Sequence, residues 1–335
     1  MRPRNLIALV AGLALTLALG LSAAPTHAAP RDDAAEHARI VNFWTKERVA
    51  KAQPRDFVRQ GDGTFKPSAK PSKPGGTTTG VLGADWTGGG VVQENTGKVL
   101  FAMGTSYYVC SASVVVDTSS TTSTIATAAH CVYDEANEAF ATNWMFIPDY
   151  DSNPVSLTTS GSFCAETVYG CWSARALTVA SGFATAGGFN DQAILHDYAF
   201  ATVASGGHNK TTQLDATVGT QQIAFNTGTL DASAWLFGYP ASGKYRGTKL
   251  IYSMGPLGTD SLNSNLTYRV ASNMTPGCSG GPWFQSFGAG SGGGVLISVN
   301  SYSYSGSSFM HGPKFNAETE DLYLEANGAT ANKII

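Results

Sequence analysis

The chain has 335 residues, 43% hydrophobic and only 13% charged, with 38 Gly. That length suffices for about two structural units. The low charge and the abundance of Gly, Ser and Thr point away from a charged helical protein and towards a turn-rich β-protein. Residues 1–80 hold 12 Lys+Arg against 6 Asp+Glu, leaving 9 against 18 for residues 81–335, so the body is net −9 behind a leader of net +6. An acidic body argues against nucleic acid as a partner. It also lets a basic leader dock on its own body.

In chain order, the first segment is 1–28. Arg2 and Arg4 precede an apolar run from Leu6 to Leu21, and small residues lead to Thr26-His27-Ala28. This pattern predicts a cleaved secretory signal, and so a secreted protein with no membrane attachment afterwards. The run is interrupted by Gly12, Thr16 and Gly20, and it is shorter than the roughly 20 apolar residues a span needs.

Residues 29–80 come next. Ile40, Val41, Trp44, Arg48 and Val49 fall near helical spacing, which predicts a helix over Ala34–Ala52. Lys66 to Gly80 (KPSAKPSKPGGTTTG) reads as a linker. A short basic helix and a linker ahead of the main body of an exported chain suggest a pro-segment.

From Val81 the pattern becomes short strands between turn residues. The strands expected first are Lys98–Met103, Tyr107–Val116, Thr124–Thr127, Trp144–Ile147 and Ala199–Thr202. Gln222–Phe225, Ala234–Gly238, Leu250–Met254, Leu266–Val270, Pro282–Phe284 and Gly294–Val299 follow, and only Glu318–Asn327 reads as helix. Strands without intervening helices predict an all-β, antiparallel sandwich or barrel.

The chain holds five cysteines, as expected of an oxidising compartment. Cys110 and Cys131 bracket a strand–turn–strand segment, Cys164 and Cys171 could close a small loop, and Cys278 is then left over. An odd count permits several connectivities. No CxxC or HExxH is present, so nothing in the sequence suggests a metal site.

Three segments carry chemistry. In Gly277-Cys278-Ser279-Gly280-Gly281-Pro282, glycines let the backbone turn sharply and present the Ser279 hydroxyl. They also free the amides of Gly277 and Ser279 to stabilise an oxyanion, a term worth roughly 3–4 kcal/mol per donor. Thr127-Ala128-Ala129-His130-Cys131 supplies a base suited to a serine nucleophile. His196-Asp197-Tyr198-Ala199 places an acid just before an apolar strand, where a carboxylate could orient His130. Singly, each has a bland reading as a turn or a packed residue.

Together, in this order, the TAAHC, Asp-x-Ala and GxSGGP segments resemble the chymotrypsin-like serine proteases. The resemblance runs from about Lys98 to the C-terminus. It implies two six-stranded antiparallel β-barrels with a short C-terminal helix and the site in the cleft between them. The domains expected are a signal (1–28), a pro-segment and linker (29–80), a barrel with His130 and Asp197 (81–205), and a barrel with Ser279 (206–335). The implied function is hydrolysis of protein or peptide substrates by a monomer without a cofactor.

A silent binding protein and an esterase on the same fold remain as alternatives. Gly277-x-Ser279-x-Gly281 also matches the nucleophile elbow of α/β-hydrolases, but those place acid and then histidine after the serine. No Asp or Glu lies between Ser279 and His311.

Residue 278 departs from the digestive members of the family, whose aspartate there pairs with a newly cut N-terminus. Cys278 cannot do so, and the secreted bacterial branch resembling the glutamyl endopeptidases also lacks that aspartate. Those enzymes carry a histidine on the next strand, where this chain is expected to have Ile297, so strict glutamate preference is not implied. By the same resemblance Asn273 floors the specificity pocket, and Ser298 and Asn300 line the strand that pairs with substrate. Ser298 is further expected to support Asp197, and Cys278 to be a buried free thiol.

Overall fold

Six antiparallel runs between Thr96 and Val203 close on themselves. In the computed structural model, which describes residues 32–68 and 80–335, Ser106–Val115 pairs with Thr96–Met103, followed by Thr142–Pro148, Trp172–Val179, Ala199–Val203 and Ser123–Thr127. The last returns to Ser106–Val115 through Val114↔Ile125. Closure leaves no open edge and buries the whole of Thr96–Met103.

Trp172–Val179 was not among the expected strands. Its sequence, WSARALTV, opens with Ser, Ala, Arg and Ala after the Trp and has β-branched residues only at Thr178 and Val179, so its own preference is weak. Two neighbours hold it, through Met145↔Ser173 and Leu177↔Ala201.

The second half is built from two six-stranded sheets. One orders Gln222–Ile223, Gly293–Val299, Pro282–Gly288, Ser233–Gly238, Ile251–Pro256 and Val81–Asp85. Val81–Asp85, expected with the first barrel, thus pairs with the second half. The other sheet includes Tyr268–Ala271, Phe309–Gly312 and Tyr302–Tyr304, and is completed by Phe57–Arg59 and Phe65–Pro67 from the leader. Ser253 Oγ donates to Ser272 Oγ at 2.8 Å, linking the two sheets.

The expected C-terminal helix is Ala317–Ala326, opened by a reciprocal capping box between Asn316 and Thr319. It lies on the first barrel, where Thr202 Oγ1 donates to the Ala326 carbonyl and Tyr323 to the Val116 carbonyl.

The leader is folded and packed on the body. The single helix expected over Ala34–Ala52 is two, Asp33–Phe43 and Lys46–Lys51. The break has a local cause: Thr45 caps the second helix, and the Trp44 indole leaves the helical path to donate to the Asn143 carbonyl at 2.6 Å. Ile40, Trp44 and Val49 are buried, each contributing about 1.5–3 kcal/mol. Leader cations meet body acids in Lys46–Glu166 (2.7 Å), Arg55–Glu135 (3.0 Å) and Arg59–Asp191 (2.9 Å). Among the described residues no helix is long and apolar enough to cross a membrane. The expected signal and most of the expected linker lie outside the described residues.

Candidate active site

His130 sits in a single helical turn, Ala129–Cys131, directly after the strand Ser123–Thr127. The Cys110–Cys131 disulfide fastens that turn to the Ser106–Val115 strand. The second disulfide joins Cys164 to Cys171, and Cys278 is free and buried.

Asp197, just ahead of Ala199–Val203, comes alongside because that strand pairs with Ser123–Thr127 through Ala199↔Thr127. Its Oδ2 lies 2.8 Å from His130 Nδ1, and its Oδ1 accepts the His130 amide at 2.9 Å. Ser301 donates to the same Oδ2. All three residues are buried. With Nδ1 engaged by a carboxylate, the imidazole has one ring nitrogen left for proton transfer, Nε2. That atom has no hydrogen-bond partner among the described residues.

The Ser279 loop is held from both sides. The Ser111 amide donates to the Ser279 carbonyl at 2.7 Å, and the Ser111 hydroxyl to the Gly277 carbonyl at 3.0 Å. Asn300 Nδ2 donates to the carbonyls of Cys278 and Phe237, each at 2.9 Å. Gly277 and Gly280 have φ of 109° and 79°, a region that favours glycine. A Cβ at Gly280 would also stand 2.1 Å from Thr127 Oγ1.

The Ser279 hydroxyl donates to neither His130 nor any other body residue. Its acceptor is Asp56 Oδ1 in the leader, at 2.8 Å, while the Gly277 amide donates to Asp56 Oδ2 at 2.7 Å. The Ser279 amide also bonds to this carboxylate. The two amides expected to hold an oxyanion therefore converge on one carboxylate. Burial pushes the Asp56 carboxyl up to about 6, against the opposing pull of His130, the Gly277 amide and Ser279. Phe57 lies edge-on to the His130 ring (5.5 Å) and stacks on Phe189 (3.9 Å), and Arg55 Nη1 donates to the His130 carbonyl at 2.6 Å.

Next to Asp56, Phe57 and Val58 of the leader, a small cavity is bounded on the body side by Met274, Thr275, Pro276, Ser301, Tyr302, Ser303 and Met310. None of these body side chains is charged. Asp260, behind them, accepts from Tyr302 and Tyr304, each at 2.7 Å.

Of the residues expected to touch substrate, Asn273 Oδ1 accepts from Tyr245 at 3.0 Å, and Asn273 is not among the side chains bounding this cavity. Ser298 donates to the Pro313 carbonyl at 2.6 Å, and Asn300 braces the Ser279 loop. The hydroxyl on Asp197 is that of Ser301, and the peptide strand in the cleft pairs with Tyr302–Tyr304. The residues facing the cleft thus lie about three positions beyond those expected. Gly293–Val299 carries no motif that fixes its register or marks where the cleft-facing residues begin. Ile297 is buried in the core cluster that includes Cys278 and Trp283. Burial pushes the Cys278 thiol well up, consistent with an inert thiol. Sequence reading missed Asp56, Ser111 and Ser301. A serine two residues beyond a strand end was the only sign of Ser301, and Asp56 had none.

No family model and no curated protein sequence matches the chain. Solved structures do. A thermostable serine protease, AL20, from an extremophilic microorganism is 32% identical with a TM-score of 0.59, covering 71% of this chain and 99% of its own. The protease Anisep from Arthrobacter nicotinovorans is 32% identical with a TM-score of 0.60, covering 74% and 100%. A Glu endopeptidase at 18% identity (TM-score 0.54, 75% and 99% covered) shares the fold.

Proposed function

The chain belongs to the chymotrypsin-like serine proteases, and on that premise we propose that it is a secreted endopeptidase acting through an acyl-enzyme on Ser279. The observation that carries this reading is the convergence at one point of the Ser279 hydroxyl, the amides of Gly277 and Ser279, and a His130 fastened to Asp197. Two disulfides fit an oxidising compartment.

In the proposed reaction His130 Nε2 takes the Ser279 proton as Oγ bonds to the substrate carbonyl carbon. The carbonyl oxygen becomes anionic and is held by the amides of Gly277 and Ser279. His130 then gives the proton to the leaving nitrogen, the C–N bond breaks, and an ester on Ser279 remains. Water, deprotonated by His130, repeats the sequence, releasing the acid and restoring Ser279. Asp197 keeps the imidazole oriented and stabilises its charged form. The chemistry is complete with these groups and calls for no cofactor.

Labelling with a fluorophosphonate, followed by peptide mapping of the adduct, tests the assignment. The expected adduct is on Ser279 and requires His130. An adduct elsewhere, or equal labelling after His130→Ala, would overturn it.

The uncharged body side of the cavity next to Asp56 supports cleavage after uncharged side chains. Asp260 is already engaged by two tyrosines, which leaves no free carboxylate for Lys or Arg. On a mixed peptide library, Lys, Arg, Glu and Asp at that position are expected to give rates at least about tenfold below apolar residues. Cleavage restricted to Glu would contradict this.

Residues 29–80 act, in this reading, as a pro-segment whose described part, residues 32–68, lies across the cleft. The complementary ion pairs from Lys46, Arg55 and Arg59 support that role.

A further inference from the structure

We propose that the leader silences the protease through the side chain of Asp56, a built-in carboxylate ligand for the oxyanion site that also takes the Ser279 hydroxyl away from His130. The inference rests on Ser279 being the nucleophile and goes beyond a leader that merely covers the cleft.

Three observations carry it. The donors available for a reacting carbonyl oxygen are already used: the Gly277 amide binds Asp56 Oδ2, and the Ser279 amide bonds to the same carboxylate. The nucleophile points the wrong way as well. Ser279 Oγ donates to Asp56 Oδ1 at 2.8 Å, while the buried His130 Nε2 has no partner among the described residues. The proton that His130 must take is thus held in a bond to the leader. Finally, the group facing Ser279 cannot acylate it. A carboxylate carbon is a poor electrophile and has no leaving group, so the leader occupies the site without being cut there.

The backbone around Asp56 explains how a side chain comes to fill a place shaped for a main-chain carbonyl. Phe57–Arg59 runs parallel to Tyr302–Tyr304, in register Phe57↔Tyr302 and Arg59↔Tyr304. Phe65–Pro67 returns antiparallel on its other side, and the Asp56 carbonyl is turned to the Ser68 amide at 2.9 Å. With its own carbonyl engaged there, Asp56 presents its carboxylate to the amides. Gln53–Pro54, parallel to Tyr108–Val109, fixes the chain on the other side, and Arg55 is locked between the His130 carbonyl and Glu135. The whole path from Gln53 to Ser68 serves to place one carboxylate.

The contact also has a sign with respect to pH. The groups facing Asp56 are His130 and, from the Ser279 loop, Cys278; Arg55, its neighbour in the chain, is engaged with Glu135 and Asp134. A free Asp titrates near 3.8, and the docked one is raised to about 6. The docked form therefore binds its proton more tightly, so docking is strongest below the free value. It weakens as pH rises through about 6. The hold of the leader is expected to loosen between acid and neutral pH by roughly tenfold to a hundredfold.

The test compares the intact chain with Asp56→Ala and Asp56→Asn, following the rate of fluorophosphonate labelling at Ser279 from pH 5 to 8. At pH 6 the Asp56→Ala chain should label at least about a hundredfold faster than wild type. Asp56→Asn, which keeps the shape and one acceptor, should be intermediate. Any pH dependence common to both chains cancels in the comparison, so Asp56 is read from the difference, with the wild-type rate climbing more steeply with pH than that of Asp56→Asn. Equal rates in wild type and both variants would overturn the proposal.

Hydrogen exchange at Phe57–Arg59 separates this from failure of the protease reading, because it reports docking without activity. Faster exchange in Asp56→Ala, with no labelling in any chain, would leave Asp56 as the anchor and discard Ser279 as the nucleophile. Unchanged exchange together with unchanged labelling rejects the anchor itself.

Discussion

Replacing Ser279 with Ala is expected to lower peptide hydrolysis by the matured enzyme by about 10⁶-fold, the size seen when a triad serine is removed elsewhere. The loss should fall on kcat, because the peptide-binding surfaces remain. The oxyanion amides and the cleft stay in place, so a residual rate above that of water is expected. The fold should survive: the loop is pinned by bonds from Ser111 and Asn300 to the main-chain carbonyls of residues 277–279. Substrate affinity measured on this variant should match that of the active enzyme. Activity within tenfold of wild type would remove Ser279 from the chemistry. Because the triad acts as a unit, adding His130→Ala to Ser279→Ala should cost little more.

Asp197→Asn is expected to reduce kcat by about 10⁴-fold while leaving the fold intact, the loss known for this exchange in an otherwise preserved triad. Asp197 is buried and accepts from three donors: the His130 amide, His130 Nδ1–H and the Ser301 hydroxyl. An asparagine must aim its NH₂ at one of these donors. If the NH₂ faces His130 Nδ1, the ring has to carry its proton on Nε2, the atom that should accept from Ser279. If it faces the amide, a buried donor loses its partner, which costs about 1–3 kcal/mol. Steady-state kinetics with a thermal melt distinguishes the two. A large kinetic loss with a small shift in Tm indicates the wrong tautomer, and a loss below tenfold would show that Asp197 does not orient His130. Ser301→Ala, removing one of the three donors, should have the same direction and a smaller size.

The two disulfides and the cysteine left between catalytic neighbours have different consequences. Cys110–Cys131 secures the turn that carries His130, whereas Cys278 packs into the second core and is not poised to react. By the sequence resemblance, Cys278 stands where the digestive members of the family hold an activating aspartate. The leader's Asp56 supplies a carboxylate close to that place from elsewhere in the chain, and to the opposite effect: it caps the oxyanion amides.

What could be read from residues alone was what is local. TAAHC and GCSGGP carry their chemistry in a few adjacent positions, because a tight turn needs glycine and a packed strand end needs small side chains. Most strands were legible because one apolar face leaves a two-residue period. Trp172–Val179 was not, since two neighbouring strands impose its conformation over its own weak preference. Ser301, rather than Ser298, reaches Asp197, a contact made just past the end of Gly293–Val299 that no local motif marks.

Nothing near Asp56 marks it out either. Its partners Gly277 and Ser279 lie 221 and 223 positions away, and only folding the leader back across the cleft brings them together. The sequence by itself thus pointed to the family and to the groups proposed to react, which are written as short motifs. Tertiary structure decided which side chains support those groups and which one occupies them, because such contacts depend on strand register and chain path rather than on neighbours in the chain.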